Sequence, residues 1–267
     1  MNQDAAVRYC RQKSAPAGSN LYYSLLYIPA RLQNRLFALH ALYNELDDIL
    51  MECSDPGVAR VKLAWWFEEL ANMQSHRPRH PVSTLMSGLF AKKLPRMNLH
   101  GLISYFEQQI NFRQPENYNE LMDQMMQGPG LLWKLSCDVT GHSSIETSDL
   151  IVRMGCLFGY FQVLQNLPTH IQFQRVYFPR VEWDEYGMTT GLFALQVNRM
   201  QDELEALIRK VPSVDQNRQL PALIMSNILC LTCQEIQRRG YNLDKERISL
   251  TPLRKTWIAW RTRRRII

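Results

Sequence analysis

The sequence predicts an all-α protein. Apolar residues recur at gaps of three and four along nearly every segment, and alternating strand patterns are almost absent. Polar-cap and proline pairs mark segment starts as helix signals do. The first long helix follows Pro29, where Leu32, Leu36, Leu39, Tyr43, Leu46 and Leu50 form one inward stripe. Asp55-Pro56 reads as an N-cap with proline at the first helical position, and opens a helix through Val61, Ala64, Trp65, Glu68 and Leu70. Arg77-Pro78 to His80-Pro81 is a break. Helices then cover 82–92, 98–113 and 117–140, the last interrupted by Gly128-Pro129-Gly130. Thr147-Ser148-Asp149 opens another, through Val152, Cys156, Gly159 and Val163. After a loop around Pro179 and Gly187, helices cover about 191–210 and 216–239, and Thr251-Pro252 caps a basic C-terminal helix within 251–267. With no Gly/Ser-rich linker and no repeat, residues 1–267 read as one all-α domain.

Composition narrows the function. Apolar residues at 46% supply a core, and a charged content of 21% excludes disorder. The net charge of +6 sits in residues 251–267, which hold six bases and no acid. The body is balanced, has no basic stripe and gives no sign of nucleic-acid binding. No run of about 18 apolar residues offers a membrane span. Asp4, Arg8 and Arg11 in the first turns exclude a secretory signal there, so a cytoplasmic location is expected. Six scattered cysteines suit a reducing compartment. Cys230-Leu-Thr-Cys233 lies in an apolar helical run and reads as buried small residues, with a zinc or redox role as the competing reading.

The most telling feature is Asp47-Asp48. Asp47 lies four residues after Tyr43 and seven after His40, so it borders the inward stripe of its helix. A carboxylate aimed into a core is costly unless a cation meets it, and acids near a helix C-terminus oppose the dipole. The pair is either a solvated helix edge or a cation site.

Its neighbours carry a resemblance. Gly18-Ser19-Asn20-Leu21-Tyr22-Tyr23 leads to Tyr27-Ile28-Pro29, then Arg31, Arg35, Ala38-Leu39-His40-Ala41-Leu42-Tyr43 and Asp47-Asp48. Val61-Lys62-Leu63-Ala64-Trp65-Trp66, His80-Pro81-Val82, Gly155 and Arg175-Val176-Tyr177-Phe178-Pro179 follow. This order, over roughly residues 15–180, resembles the squalene/phytoene synthase family. The resemblance implies an isoprenoid (trans-prenyl diphosphate) synthase-like helical bundle around a central cavity. It also implies a prenyltransferase activity that joins two prenyl diphosphates, with two acidic motifs on facing helices holding Mg2+. Departing diphosphate builds negative charge, which hard cations on oxygen ligands stabilise.

Two departures stand out. The expected Asp-Asp-x-x-Asp reads Asp47-Asp48-Ile49-Leu50-Met51, with Asn44 where the family has arginine. Asp48 has a partner in Glu52, but that pair lies about 100° round the helix from Asp47. At the second motif the acidic positions fall on Gln162, Asn166 and His170. Pro168 costs a helix interior about 3 kcal/mol, so the helix is expected to kink or end there. Asn166-Leu167-Pro168-Thr169-His170 resembles a divergent branch similar to the mitochondrial complex I assembly factor of squalene/phytoene synthase type, which is regarded as non-catalytic.

Three readings follow. The leading one is a family member with a degraded second magnesium motif, unable to carry out normal coupling and binding a prenyl lipid or diphosphate between the Asp47 helix and the helix ending near Pro168. The second is an active prenyltransferase in which Asp47, Asp48 and Glu52 hold Mg2+ while Arg31, Arg35 and Arg175 neutralise diphosphate. The third is an assembly or scaffold protein for a membrane complex. Tyr22, Tyr23, Tyr43 and Tyr177 are candidates for a prenyl pocket, with plain packing as the alternative. Arg254, Lys255, Trp257, Trp260, Arg261, Arg263, Arg264 and Arg265 suit an anionic membrane surface on the cytoplasmic side, against a docked helix with a solvated basic end.

Overall fold

The computed structural model describes residues 2–53, 55–90 and 97–266, and among these the only regular elements are helices. They are α1 (Gln3–Ser14), α2 (Asn20–Ser24), α3 (Ala30–Glu52), α4 (Pro56–Gln74), α5 (Pro81–Phe90), α6 (Leu99–Ile110) and α7 (Tyr118–Met125). A π-helical turn at Met126–Gly130 joins α7 to α8 (Leu131–Thr140). Then come α9 (Ile145–Gln165), α10 (Leu167–Gln172), α11 (Arg180–Tyr186), α12 (Thr190–Lys210), α13 (Ser213–Gln216), α14 (Leu220–Arg238) and α15 (Pro252–Ile266).

Local chemistry sets these boundaries. The Asp55 side chain accepts from the Val58 N–H at 2.9 Å with Pro56 in the first turn, as the sequence predicts. Ser19 caps α2 through the Tyr22 N–H at 3.1 Å. Two expectations need correction. The cap of α9 is Ser144, whose hydroxyl accepts from the Thr147 N–H at 3.2 Å, so the helix begins before Thr147. Gly128-Pro129-Gly130 does not interrupt its helix, because the extra residue of the π turn absorbs the proline without ending the run. Pro168 does end α9: Asn166 leaves helical geometry at φ −114°, ψ 24°, and α10 starts afresh beyond it. The C-terminal end of the predicted 82–92 helix lies outside the described residues.

α3 is the central element, covered by α1, α5, α6 and α8, and its buried run from Leu36 to Tyr43 has no solvated face. α9 packs on α8, the π turn, α12 and α14, while α14 also supports α2 and α15. α3, α8, α9 and α14 thereby surround a space that α2 and the segment before α15 close from one end. Cys230 and Cys233 are buried free thiols on α14, and burial pushes the Cys230 thiol up to about 12.

Candidate functional site

The space between these helices is a cavity of about 440 Å3. Its apolar wall includes Leu132, Trp133, Phe158, Phe161, Met225 and Leu229, and Tyr43 borders it from α3. Its polar lining comprises Ser14, Ser19, Asn20, Asn44, Gln162, Gln165, Arg247, Ser249 and Lys255. No carboxylate is among the lining residues.

Lys255 is the least expected member. It is 5% exposed and its ammonium donates to the Gly18 carbonyl at 2.9 Å, with the Tyr23 ring centroid 5.8 Å away. Burial, and then the neighbouring Arg247, hold its pKa below the usual lysine range. Lys255 therefore turns inward, which corrects its assignment to a membrane-facing set. The reason is helical register: Lys255, Ile258, Ala259 and Thr262 form the buried stripe of α15. Gln165 is 8% exposed and its amide nitrogen has no partner. His40 also borders the cavity, held neutral by burial with its pKa near 3, with Nε2 3.2 Å from the Ser136 hydroxyl.

The two aspartates part company. Asp48 is ion-paired with Lys13 of α1, whose Nζ is also 3.4 Å from Glu45 Oε1. Tyr9 donates to the same Glu45 oxygen at 2.6 Å, so Glu45 meets α1 and not Arg31 or Arg35. Asp47 is exposed to solvent, and the desolvation it feels comes from protein gathered around an open side chain. That desolvation, followed by the Asp48 charge, raises its carboxyl to about 6 against the pull of Arg175 and Lys13. Buried Tyr43, Tyr105 and Tyr177 all feel the Asp47 charge. The Asp47 charge is thus felt by a tyrosine cluster and offset by Arg175, while Asp48 pairs with α1.

The other candidates scatter. Glu52 is exposed in a recess with Lys62, Trp65 and His80. Arg31 is exposed, and Arg35 donates to the Leu89 carbonyl at 3.3 Å beside Phe90, away from the cavity. Tyr22 and Tyr23 pack edge to face at 5.1 Å and Tyr177 packs on Phe112 at 4.6 Å; neither pair lines the cavity. Gln162 lines it, but Asn166 caps the end of α9, and His170 sits edge-on to Tyr177 at 5.1 Å. Burial, then Arg175, lowers the His170 pKa to about 4.

This donor set does not fit magnesium, which asks for several oxygen anions in octahedral array. Gln162, Asn166 and His170 offer amides and an imidazole. Among the described residues no group of three or more His, Cys, Asp or Glu side chains could hold a metal ion.

The Asp47 environment has a pH consequence. The folded state binds more protons than the unfolded chain between its ordinary value of 3.8 and about 6, so stability falls as pH rises through that window. Asp47→Asn removes this slope. The variant is expected to be more stable than the parent at pH 7, with the gap closing toward pH 4, in urea melts across that range. A gap independent of pH would contradict it.

The squalene/phytoene synthase family profile matches residues 15–254, and the chain belongs to that family. The phytoene synthases of Mycobacterium bovis and Mycobacterium tuberculosis are each 22% identical over 273 residues, covering 96% of this chain and 90% of theirs. Assembly factor 6 of NADH dehydrogenase (ubiquinone) complex I from Bos taurus is 23% identical over 174 residues, covering 64% of this chain and 52% of its own. In structure, a dehydrosqualene synthase solved in complex with ligand superposes with TM-score 0.83 at 14% identity, over 99% of this chain and 97% of that one. The squalene synthase HpnC of Alicyclobacillus acidocaldarius gives 0.72 at 19% identity, over 90% and 96%. These neighbours establish the isoprenoid synthase-like all-α fold.

Proposed function

We propose that this chain is a non-coupling member of its family that binds a prenyl lipid by a diphosphate or similar anionic end in the α3–α8–α9–α14 cavity. The carrying observation is the cavity lining, which includes Lys255 and Arg247 and no carboxylate. A buried ammonium without a counter-anion costs several kcal/mol, and an anionic headgroup offsets that cost. The unpartnered Gln165 amide adds a donor, and the aromatic and leucine wall suits an isoprenoid tail in a space of ordinary ligand size. Head-to-head coupling would need metal-neutralised diphosphates, and the acids required for that are not in the lining.

Calorimetric titration with farnesyl diphosphate tests the reading. Binding is expected, weakened at least tenfold for farnesol and for Lys255→Met, roughly 1.4 kcal/mol each. No diphosphate release is expected with farnesyl or geranylgeranyl diphosphate and magnesium. Turnover abolished by Asp48→Asn would instead support the prenyltransferase with a one-sided metal site.

A second reading, as a scaffold at a membrane, is favoured by the outer face of α15 and by the likeness to a complex I assembly factor. Leu253, Trp257 and Trp260 are 83%, 49% and 44% exposed, beside Arg261, Arg263, Arg264 and Arg265. Arg254 is half-committed to Glu235 at 3.1 Å. Among the described residues no helix is long and apolar enough to cross a membrane, so contact would be peripheral. Trp257→Ser with Arg261→Gln and Arg264→Gln is expected to abolish cosedimentation with phosphatidylserine-containing vesicles at low salt. Unchanged cosedimentation would remove α15 as the contact.

A further inference from the structure

We infer that the ammonium of Lys13 occupies the Asp48 side of the first acidic motif, so that Asp48, together with Glu45 just before the motif, clamps α1 instead of binding a divalent cation. Glu45 and Asp48 are three apart and share a helix face, and α1 packs against α3 there. Lys13 reaches both carboxylates, Tyr9 donates to Glu45, and the Asn44 amide donates to the Lys13 carbonyl at 3.0 Å. Asn44 occupies the position where the family resemblance expects an arginine, and here its short amide ties down the lysine's own backbone. The side chains of Lys13, Glu45 and Asp48 are 23%, 16% and 43% exposed, so the Glu45 pairing is partly withdrawn from solvent while the Asp48 pairing stays open to it.

Charge on neighbouring elements agrees. Although burial opposes it, the Asp48 hydrogen bond and the Glu45 charge keep the Lys13 pKa above its ordinary value. Partial desolvation of its otherwise exposed ring, and then Glu45, keep Tyr9 protonated, so it stays a donor. Lys62 and His80 face the same recess, and the His80 pKa is lowered, by burial first. A magnesium ion entering here would have to displace an ammonium already in place and shed water for two carboxylates, when it demands near-ideal octahedral geometry. Asp47 lies about 100° round the helix from Asp48 and is not among the residues lining that recess.

The clamp also has a structural role. Ser14, next to Lys13, lines the cavity, and the loop beyond it presents the Gly18 carbonyl that Lys255 uses. Fixing the end of α1 thus fixes one cavity wall. The inference concerns the acidic face alone and holds whatever ligand the cavity takes.

Thermal melts of the full chain test it with the metal as the only probe. For the parent protein, 10 mM MgCl2 is expected to move Tm no more than NaCl of equal ionic strength. Lys13→Met should lower Tm by about 4 °C, a partly buried ion pair's worth for a chain of this size, and MgCl2 should then restore part of the loss beyond the NaCl control. Lys13→Arg should keep most of the stability and stay insensitive to magnesium. A magnesium-specific rise in the parent overturns the inference. So does a Lys13→Met protein as stable as the parent, or one that is destabilised and no more responsive to MgCl2 than to NaCl. If Lys13→Met does not fold, Mn2+ titration of the parent and Lys13→Arg, followed by electron paramagnetic resonance, decides: sub-millimolar binding by either overturns it, and no binding supports it.

Discussion

Glu69→Ala is expected to remove about 4 kcal/mol of folding stability at pH 7, the cost of breaking a buried, fully bonded charge. Glu69 lies on α4 with no exposed surface. Its carboxylate accepts from the Ser83 hydroxyl, the Arg79 N–H at 2.6 Å, the His80 N–H at 3.0 Å and Arg79 Nε at 3.1 Å. One side chain therefore ties Arg79 and His80 of the connection, and Ser83 of α5, to α4, and alanine leaves two backbone donors and a hydroxyl to find new partners. Burial alone would raise this carboxyl, but Ser83, then Arg79 and His80, outweigh it and hold it near 2. The folded pKa is below the ordinary 4.5, so the stabilisation is present above that value and fades as pH falls toward 2. Urea denaturation should give the full loss at pH 7 and a much smaller one near pH 2. Glu69→Gln keeps an acceptor oxygen and should fall between. A loss under about 1 kcal/mol for Glu69→Ala at pH 7 would mean that water replaces the carboxylate.

Elements were legible in the sequence wherever the governing chemistry is local. Asp55-Pro56 and the Arg77–Pro81 break set the ends of α4 and α5 because caps and prolines act within a few residues. The separation of Asp47 from Asp48 follows from the helical turn alone, and each faces a different neighbour. The cavity was harder to read. Lys255 meets Gly18 across 237 residues of chain, and no pattern within α15 names its partner. Its inward position was readable, since it stands three and four residues before Ile258 and Ala259, but a run of bases hid it. Glu69, beside exposed Glu68, looks like one more solvated acid; only its register with Trp66, Leu70 and Met73 marks it as buried. Lys13 carries no local signal at all. Its role arises because the end of α1 meets the C-terminal half of α3, a tertiary contact.

Gly159→Ala is expected to destabilise the protein by about 2 kcal/mol, although alanine is the better helix former by about 1 kcal/mol. Gly159 sits inside α9, and a Cβ there would lie 2.3 Å from Pro129 Cγ and 2.5 Å from Pro129 Cβ. A proline ring cannot rotate away, and the π turn that carries it is pinned elsewhere. A Cβ on Gly128 would meet the Tyr105 ring at 2.3 Å, and one on Gly155 would meet Trp133 Cβ at 2.6 Å. Relief can come only by moving the turn off α9. Pro129, Trp133 and Gly159 all line the cavity, so the same displacement should weaken farnesyl diphosphate binding as well as lower Tm. Gly88→Ala is the matched control: its Cβ would make an ordinary contact at 3.5 Å with the Gln3 amide, so helix propensity alone should act and stability should rise. If Gly159→Ala proved as stabilising as Gly88→Ala, the π turn would have to shift freely. The cavity wall would then be a movable element and not a fixed surface, and ligand affinity should survive the substitution.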